Sequence, residues 1–200
     1  MKRAILLLLL CWGVAQCRHG GENVPRLDAG RVAGLNRQLA EKALAPRVLV
    51  NKIEISCRNR LKALNRDLTR LEYLALLRDA HVAALPEELQ GREEALDDLS
   101  LGLAGDTLAQ QVLAANREWA VPLPNSYGDV WISITRAGLA ENRRQGQAVL
   151  GWLAAEKLID EAERERIGEA LEKSTLLFPH QAYDLILREL GAGSPAPATP

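Results

Sequence analysis

The sequence predicts an all-α protein, an irregular or up-down helical bundle around one long central helix. Three observations predict it. Hydrophobic residues make up 48% of the chain and are mainly Leu and Ala, while aromatics make up only 4%. Ala, Leu, Arg, Glu and Gln are good helix formers, and β-branched residues are sparse. Residues 48–85 carry Val50, Ile53, Cys57, Leu61, Leu64, Leu68, Leu71 and Ala75 at helical spacing, one stripe along a helix. Arg58, Asn59, Lys62, Arg66, Asp67 and Arg70 fall off the stripe and are expected to face water. No Gly or Pro interrupts the run before Pro86, so the segment reads as one helix that neighbours must cover.

The N-terminus resembles a secretory signal peptide. Lys2 and Arg3 precede an apolar run from Ala4 to Val14, and Gly13 and Ala15 are small residues suited to a cleavage site. The run is shorter than the ~20 apolar residues that span a bilayer. Residues 1–15 are therefore expected to be removed, and the mature protein to be exported to a periplasm or the cell exterior. Arg outnumbers Lys, which is associated with GC-rich bacterial genomes.

Export sets the cysteine question. Cys11 leaves with the signal, and Cys17 and Cys57 remain. An exported chain with two cysteines suggests one disulfide, here Cys17 to Cys57, pinning the N-terminal arm to the central helix. A second reading is a lipid anchor on Cys17. Val14-Ala15-Gln16-Cys17 resembles a bacterial lipoprotein box, although Gln16 stands where a small residue is preferred. Two free thiols are the third reading.

Residues 16–27, with His19, Gly20, Gly21 and Pro25, read as an extended arm. Val32, Leu35, Leu39 and Ala43 then mark a helix over residues 27–44, capped by Asp28 and ended before Pro46. After the central helix, Pro86 suits the first position of a new helix, with Glu87 and Glu88 favourable at its N-terminus. Residues 92–101 form a helix that should stop at Gly102 and Gly105. Asp106 or Thr107 caps the next, which is expected to run to about Trp119.

Residues 121–128, Val-Pro-Leu-Pro-Asn-Ser-Tyr-Gly, break any helix because they hold two prolines. They divide a half at 28–120 from a half at 129–191. Beyond them Val130, Ile132 and Ile134 alternate as in a strand, yet Val130, Ile134 and Ala137 also fit a helix capped by Asp129, and helix is the reading adopted. Residues 143–157 form a firmer helix that turns Val149, Leu150 and Leu153 inward, with Trp152 beside them. Asp160 and Glu163 form a capping-box pattern before Ile167 and Leu171. Pro179 opens the last helix, with Tyr183, Ile186, Leu187 and Leu190 inward, and Gly191 closes it. Residues 192–200 are low-complexity and read as a disordered tail. Weak internal duplication is a further expectation, since residues 53–56 align with 130–133, Asn65-Arg66 with Asn142-Arg143, and residues 94–96 with 169–171.

Charge and motifs narrow the function. The formal net charge is −1, with both signs interspersed, which argues against a nucleic-acid partner. No CxxC, HExxH, EF-hand or Gly-rich phosphate loop exists, so no metal or cofactor is expected. No Ser sits in a Gly-x-Ser-x-Gly context, and Cys57 lies on the stripe to be buried, so no catalytic residue is assigned. Acidic pairs such as Glu87/Glu88, Glu93/Glu94 and Asp97/Asp98 lie on a solvated stretch, unsuited to general acid work. His81 reads as a hydrogen-bonded structural histidine, and His180 with Asp184 as a surface pair one turn apart.

The one feature that points to binding is aromatic. Trp119, Tyr127 and Trp131 flank the Pro-rich break, with Asn125 and Asp129 as polar neighbours. Trp and Tyr are favoured at interface hot spots, and the plainer alternative is core packing under the loop. The expected function is thus an exported, non-enzymatic helical interaction or scaffold protein with a protein partner. The alternatives are a small-ligand module at the aromatic cluster and a lipid-anchored or membrane-surface protein. An enzyme with an unrecognised site is the remaining one.

Overall fold

The computed structural model describes residues 26–123 and 130–192. Among them the chain runs β1 (Arg26–Leu27), α1 (Ala29–Glu41), α2 (Arg47–Leu64), β2 (Leu68–Thr69) and α3 (Arg70–Val82). A 3-10 turn (Glu87–Leu89) leads into α4 (Glu93–Gly105), α5 (Thr107–Ala114), β3 (Trp119–Pro122) and β4 (Trp131–Ile134). The chain continues with α6 (Arg136–Ala155), α7 (Glu161–Lys173), α8 (Pro179–Leu187) and a π turn (Arg188–Ala192). The protein is all-α, and its strands form two small antiparallel pairs, β1–β2 and β3–β4. The expected signal peptide, most of the arm, Cys17 and the tail at 193–200 lie outside the described residues.

The 48–85 segment is not one helix. Its stripe is buried through Val50, Ile53 and Cys57, then the helix closes at Asn65, which takes a left-handed conformation at φ 50°. Asn is among the residues that tolerate this conformation, and its N–H reaches back to the Leu61 carbonyl at 2.8 Å. Leu68 and Thr69 next pair with Leu27 and Arg26 as a short strand. Thr69 then starts α3 with a capping box. Its hydroxyl accepts from the Glu72 N–H at 3.2 Å, and the Glu72 carboxylate accepts from the Thr69 N–H at 2.8 Å. A stop signal at Asn65 and a start signal at Thr69 outweigh the continuity of the apolar stripe.

Other expectations change as well. Helix α4 runs on through Gly102 and stops at Gly105, so only the second glycine ends it, and α5 ends at Ala114 rather than near Trp119. Residues 131–134 are a strand, not a helix, with Ile132 and Ile134 buried and Trp131 and Ser133 exposed. That alternation is the half-buried strand pattern. The duplication loses its anchor, because residues 53–56 are helical within α2 whereas the aligned 131–133 belong to β4. Pro86 precedes a single 3-10 turn instead of opening a helix.

Two apolar cores result. The larger joins α1, α2, α3, α6, α7 and α8 through Leu35, Leu39, Ile53, Tyr73, Leu77, Leu150, Leu153, Ile167 and Ile186. Within it the Tyr73 hydroxyl donates to Asn36 Oδ1 at 2.8 Å, and Trp152 Nε1 donates to Gln38 Oε1 at 3.1 Å. The smaller joins the 3-10 turn, α4, α5 and the β3–β4 pair through Leu89, Leu96, Leu103, Leu113, Val121, Ile132 and Ile134. Buried Gln181 of α8 ties the two together. Its carbonyl accepts from the Leu177 N–H at 2.8 Å, and its amide donates to Asp97 Oδ1 at 2.8 Å and Ser100 Oγ at 3.0 Å on α4.

Candidate functional site

The β3–β4 pair is short, and its register follows from which side chains it buries. Val121 faces Ile132, and Trp119 faces Ile134, on the side turned to the smaller core. Pro122 faces Trp131, and Ala120 faces Ser133, on the outer side. Glu118 fixes that outer side by accepting a hydrogen bond from the Ser133 hydroxyl.

Beside β4 lies a groove of about 380 Å³. One wall is the 3-10 turn region with Pro86, Glu88 and Leu89; the other is Val130, Trp131, Ile132 and Ser133, and Phe178 closes an end. Leu89 and Ile132 supply an apolar floor anchored in the smaller core, so the groove is held by packed elements and not by side chains alone. Trp131 is 63% exposed, unusual for so large an apolar ring. The carboxylate of Glu88 stands at the rim with no ion pair among the described residues.

The aromatic cluster expected from the sequence is thus divided. Trp131 is at the groove and open to solvent, while Trp119 is half-buried against the smaller core. Asn125, Tyr127 and Asp129 lie outside the described residues. Sequence reasoning missed Pro86, Glu88, Leu89 and Phe178, which are distant in the chain. The signal available was the strand alternation at 130–134, which puts Trp131 on the side opposite the two isoleucines.

The histidines differ from expectation. His180 is no surface residue: it is 0% exposed, both ring nitrogens lack a hydrogen-bond partner, and it stacks on Phe178 at 6.0 Å. Position 180 falls on the side of α8 that packs inward, beside buried Gln181 and Tyr183. Asp184 instead accepts from Arg78 Nε at 2.8 Å. His81 is buried and stacks on Tyr183 at 5.0 Å, and its Nε2 has no partner, so it is not the hydrogen-bonded histidine expected. Burial pushes the His81 pKa down to about 4, helped by the neighbouring His180.

Cys57 is a free, buried thiol whose pKa is pushed up to about 12 by burial and by Glu54 nearby. It is protonated at neutral pH and a poor nucleophile. The expected pairing with Cys17 falls outside the described residues on the Cys17 side. Among the described residues no group of three or more His, Cys, Asp or Glu side chains is placed to hold a metal ion. No described helix is long and apolar enough to cross a membrane. Chemically the groove offers an indole, an apolar floor, a rim carboxylate and strand backbone, which is equipment for binding. No protein-family model matches the chain, and neither a curated protein nor a solved structure is significantly similar to it.

Proposed function

We propose that the chain is an exported, non-enzymatic interaction protein whose helical bundle is the scaffold for the groove beside β4, and that its partner is a polypeptide. The observation that carries the reading is Trp131, a large ring 63% exposed at the mouth of a preformed groove. An exposed indole next to apolar floor residues is the kind of anchor that dominates interface energies. The two cores support it, since the groove walls come from elements packed at Leu89 and Ile132 and need no rearrangement on binding. The signal-like N-terminus from Lys2 to Ala15 supports export.

Site-specific photo-crosslinking tests the reading. A photoreactive residue replaces Ser133 in one variant and exposed Lys62, on the far helix α2, in another. The proposal predicts polypeptide adducts from position 133 and none from position 62, in the exported protein with residues 1–15 removed. Equal adducts from both positions, or none from position 133, would contradict it. A small-ligand pocket is the second reading, favoured by a volume near the lower bound of ~300 Å³ for such sites. Under that reading position 133 gives no polypeptide adduct, and Trp131 fluorescence responds to a small compound.

A further inference from the structure

We infer that the groove takes its partner as an added β-strand, an extended basic-and-apolar peptide segment that pairs with the free edge of β4. The inference rests on the proposed function and names the partner's chemistry.

The edge follows from the register. The Leu123 N–H donates to the Val130 carbonyl at 3.0 Å, so Leu123 and Val130 are a hydrogen-bonded pair. In an antiparallel ladder such pairs alternate with non-bonded ones. Val121 with Ile132 and Trp119 with Ile134 are then bonded pairs, and Pro122 with Trp131 and Ala120 with Ser133 are not. The N–H and C=O groups of Trp131 and Ser133 therefore point away from β3. The sheet has two strands, and no further strand is hydrogen-bonded to β4 among the described residues. Both residues line the groove.

The two edges of this pair are unequal. On β3 the outward positions are Ala120 and Pro122; Pro122 has no N–H to offer, and proline is one way in which sheet edges are blunted. On β4 the outward positions are Trp131 and Ser133, which keep theirs. An open edge beside an apolar slot is the arrangement used in strand addition: main-chain bonds supply affinity and pockets for alternate side chains supply selection. The slot between Leu89, Ile132 and Phe178 takes an apolar side chain. The rim favours a cation next to it. Glu88 is an exposed carboxylate without an ion pair among the described residues, Glu87 is exposed beside it, and Glu118 sits on Ser133. An acidic segment meets repulsion at the same place.

The test selects phage-displayed random heptapeptides on the mature protein and measures the enriched peptides against variants. The inference predicts alternating apolar and polar residues with Lys or Arg among them. It predicts about tenfold weaker binding to Ser133→Pro, which removes an outward N–H without touching the ladder. Glu88→Lys should weaken basic peptides and leave neutral ones unchanged. Because Ser133→Pro also loses the Glu118 contact, a second measurement uses the wild-type protein. The amide hydrogens of Trp131 and Ser133 should gain exchange protection on peptide binding, and peptides N-methylated at alternate amides should fail to bind.

Peptides that respond to Trp131→Ala but tolerate N-methylation and give no protection at 131 and 133 would overturn strand addition while leaving the groove reading intact. Peptides indifferent to Trp131→Ala, or no enrichment at all, would overturn both. A dimer of the free protein that dissociates on Ser133→Pro would assign the edge to a second copy and overturn the peptide partner.

Discussion

Acid should loosen this protein through its buried histidines. His81 is 9% exposed on α3 and His180 0% exposed on α8, and three of their ring nitrogens have no partner. Around them stand Tyr183, Arg78, Asp184, Asp97 and Glu93. Burial lowers the pKa of His180 first; Arg78 lowers it further, while Asp184, Asp97 and Glu93 oppose. For His81 the fall is from 6.5 to about 4. The unfolded chain then binds the proton first as pH drops, so stability is complete above about 6.5 and is lost progressively toward about 4. The full loss from His81 is about 3 kcal/mol, and about 2 kcal/mol of it is reached by pH 5. Against a typical stability of about 5–15 kcal/mol that is a large fraction. Urea unfolding followed by tryptophan fluorescence at pH 7.5 and pH 5 measures it, with His81→Phe as the control that keeps an aromatic ring against Tyr183. The wild type should lose about 2 kcal/mol more than His81→Phe over that interval. Equal pH slopes for the two proteins would refute the argument, because the carboxylates are common to both.

Other consequences are open to direct measurement. Trp131→Ala should change stability by less than about 0.5 kcal/mol, as expected for an exposed side chain, while weakening a groove-bound partner by about thirtyfold or more. Thr69→Ala removes the hydroxyl of the α3 capping box and should cost about 1 kcal/mol by urea unfolding. Tyr73→Phe leaves buried Asn36 Oδ1 without its 2.8 Å donor and should cost about 1–3 kcal/mol in the same assay. The Cys57 thiol should be alkylated by iodoacetamide at pH 8 at least a hundredfold more slowly in the folded protein than in urea, read by mass on its peptide; the expected ratio follows from a pKa near 12.

The helices with strong local punctuation were legible from the residues alone. Asp28 caps α1 and accepts from the Arg31 N–H at 2.7 Å, and Asp160 with Glu163 forms the capping box of α7. Both signals sit within one turn of the element that they start. The 48–85 segment misled because apolar spacing passes unbroken across residues 65–69. The Thr69-x-x-Glu72 pattern was there to be read, but it competes with eight well-spaced apolar positions. At 130–134 the two periods coincide over so few residues that a helix and a strand predict nearly the same burial. Only pairing with Trp119–Pro122 decides between them, and that contact is non-local. The groove was half legible for the same reason. Trp131 announces itself by type, whereas Pro86, Leu89 and Phe178 reach it only through tertiary packing. His180 was misplaced because its spacing to Asp184 is the same on a buried face as on an exposed one.

Amide hydrogen exchange along β4 in the free protein reads the state of its two edges residue by residue. This strand has one edge satisfied by β3 and one edge open. Ile132 and Ile134, bonded to Val121 and Trp119, should exchange slowly, and Trp131 and Ser133 should exchange at rates close to those of an unstructured chain. Protection of all four amides, or of Trp131 and Ser133 instead of the isoleucines, would contradict it.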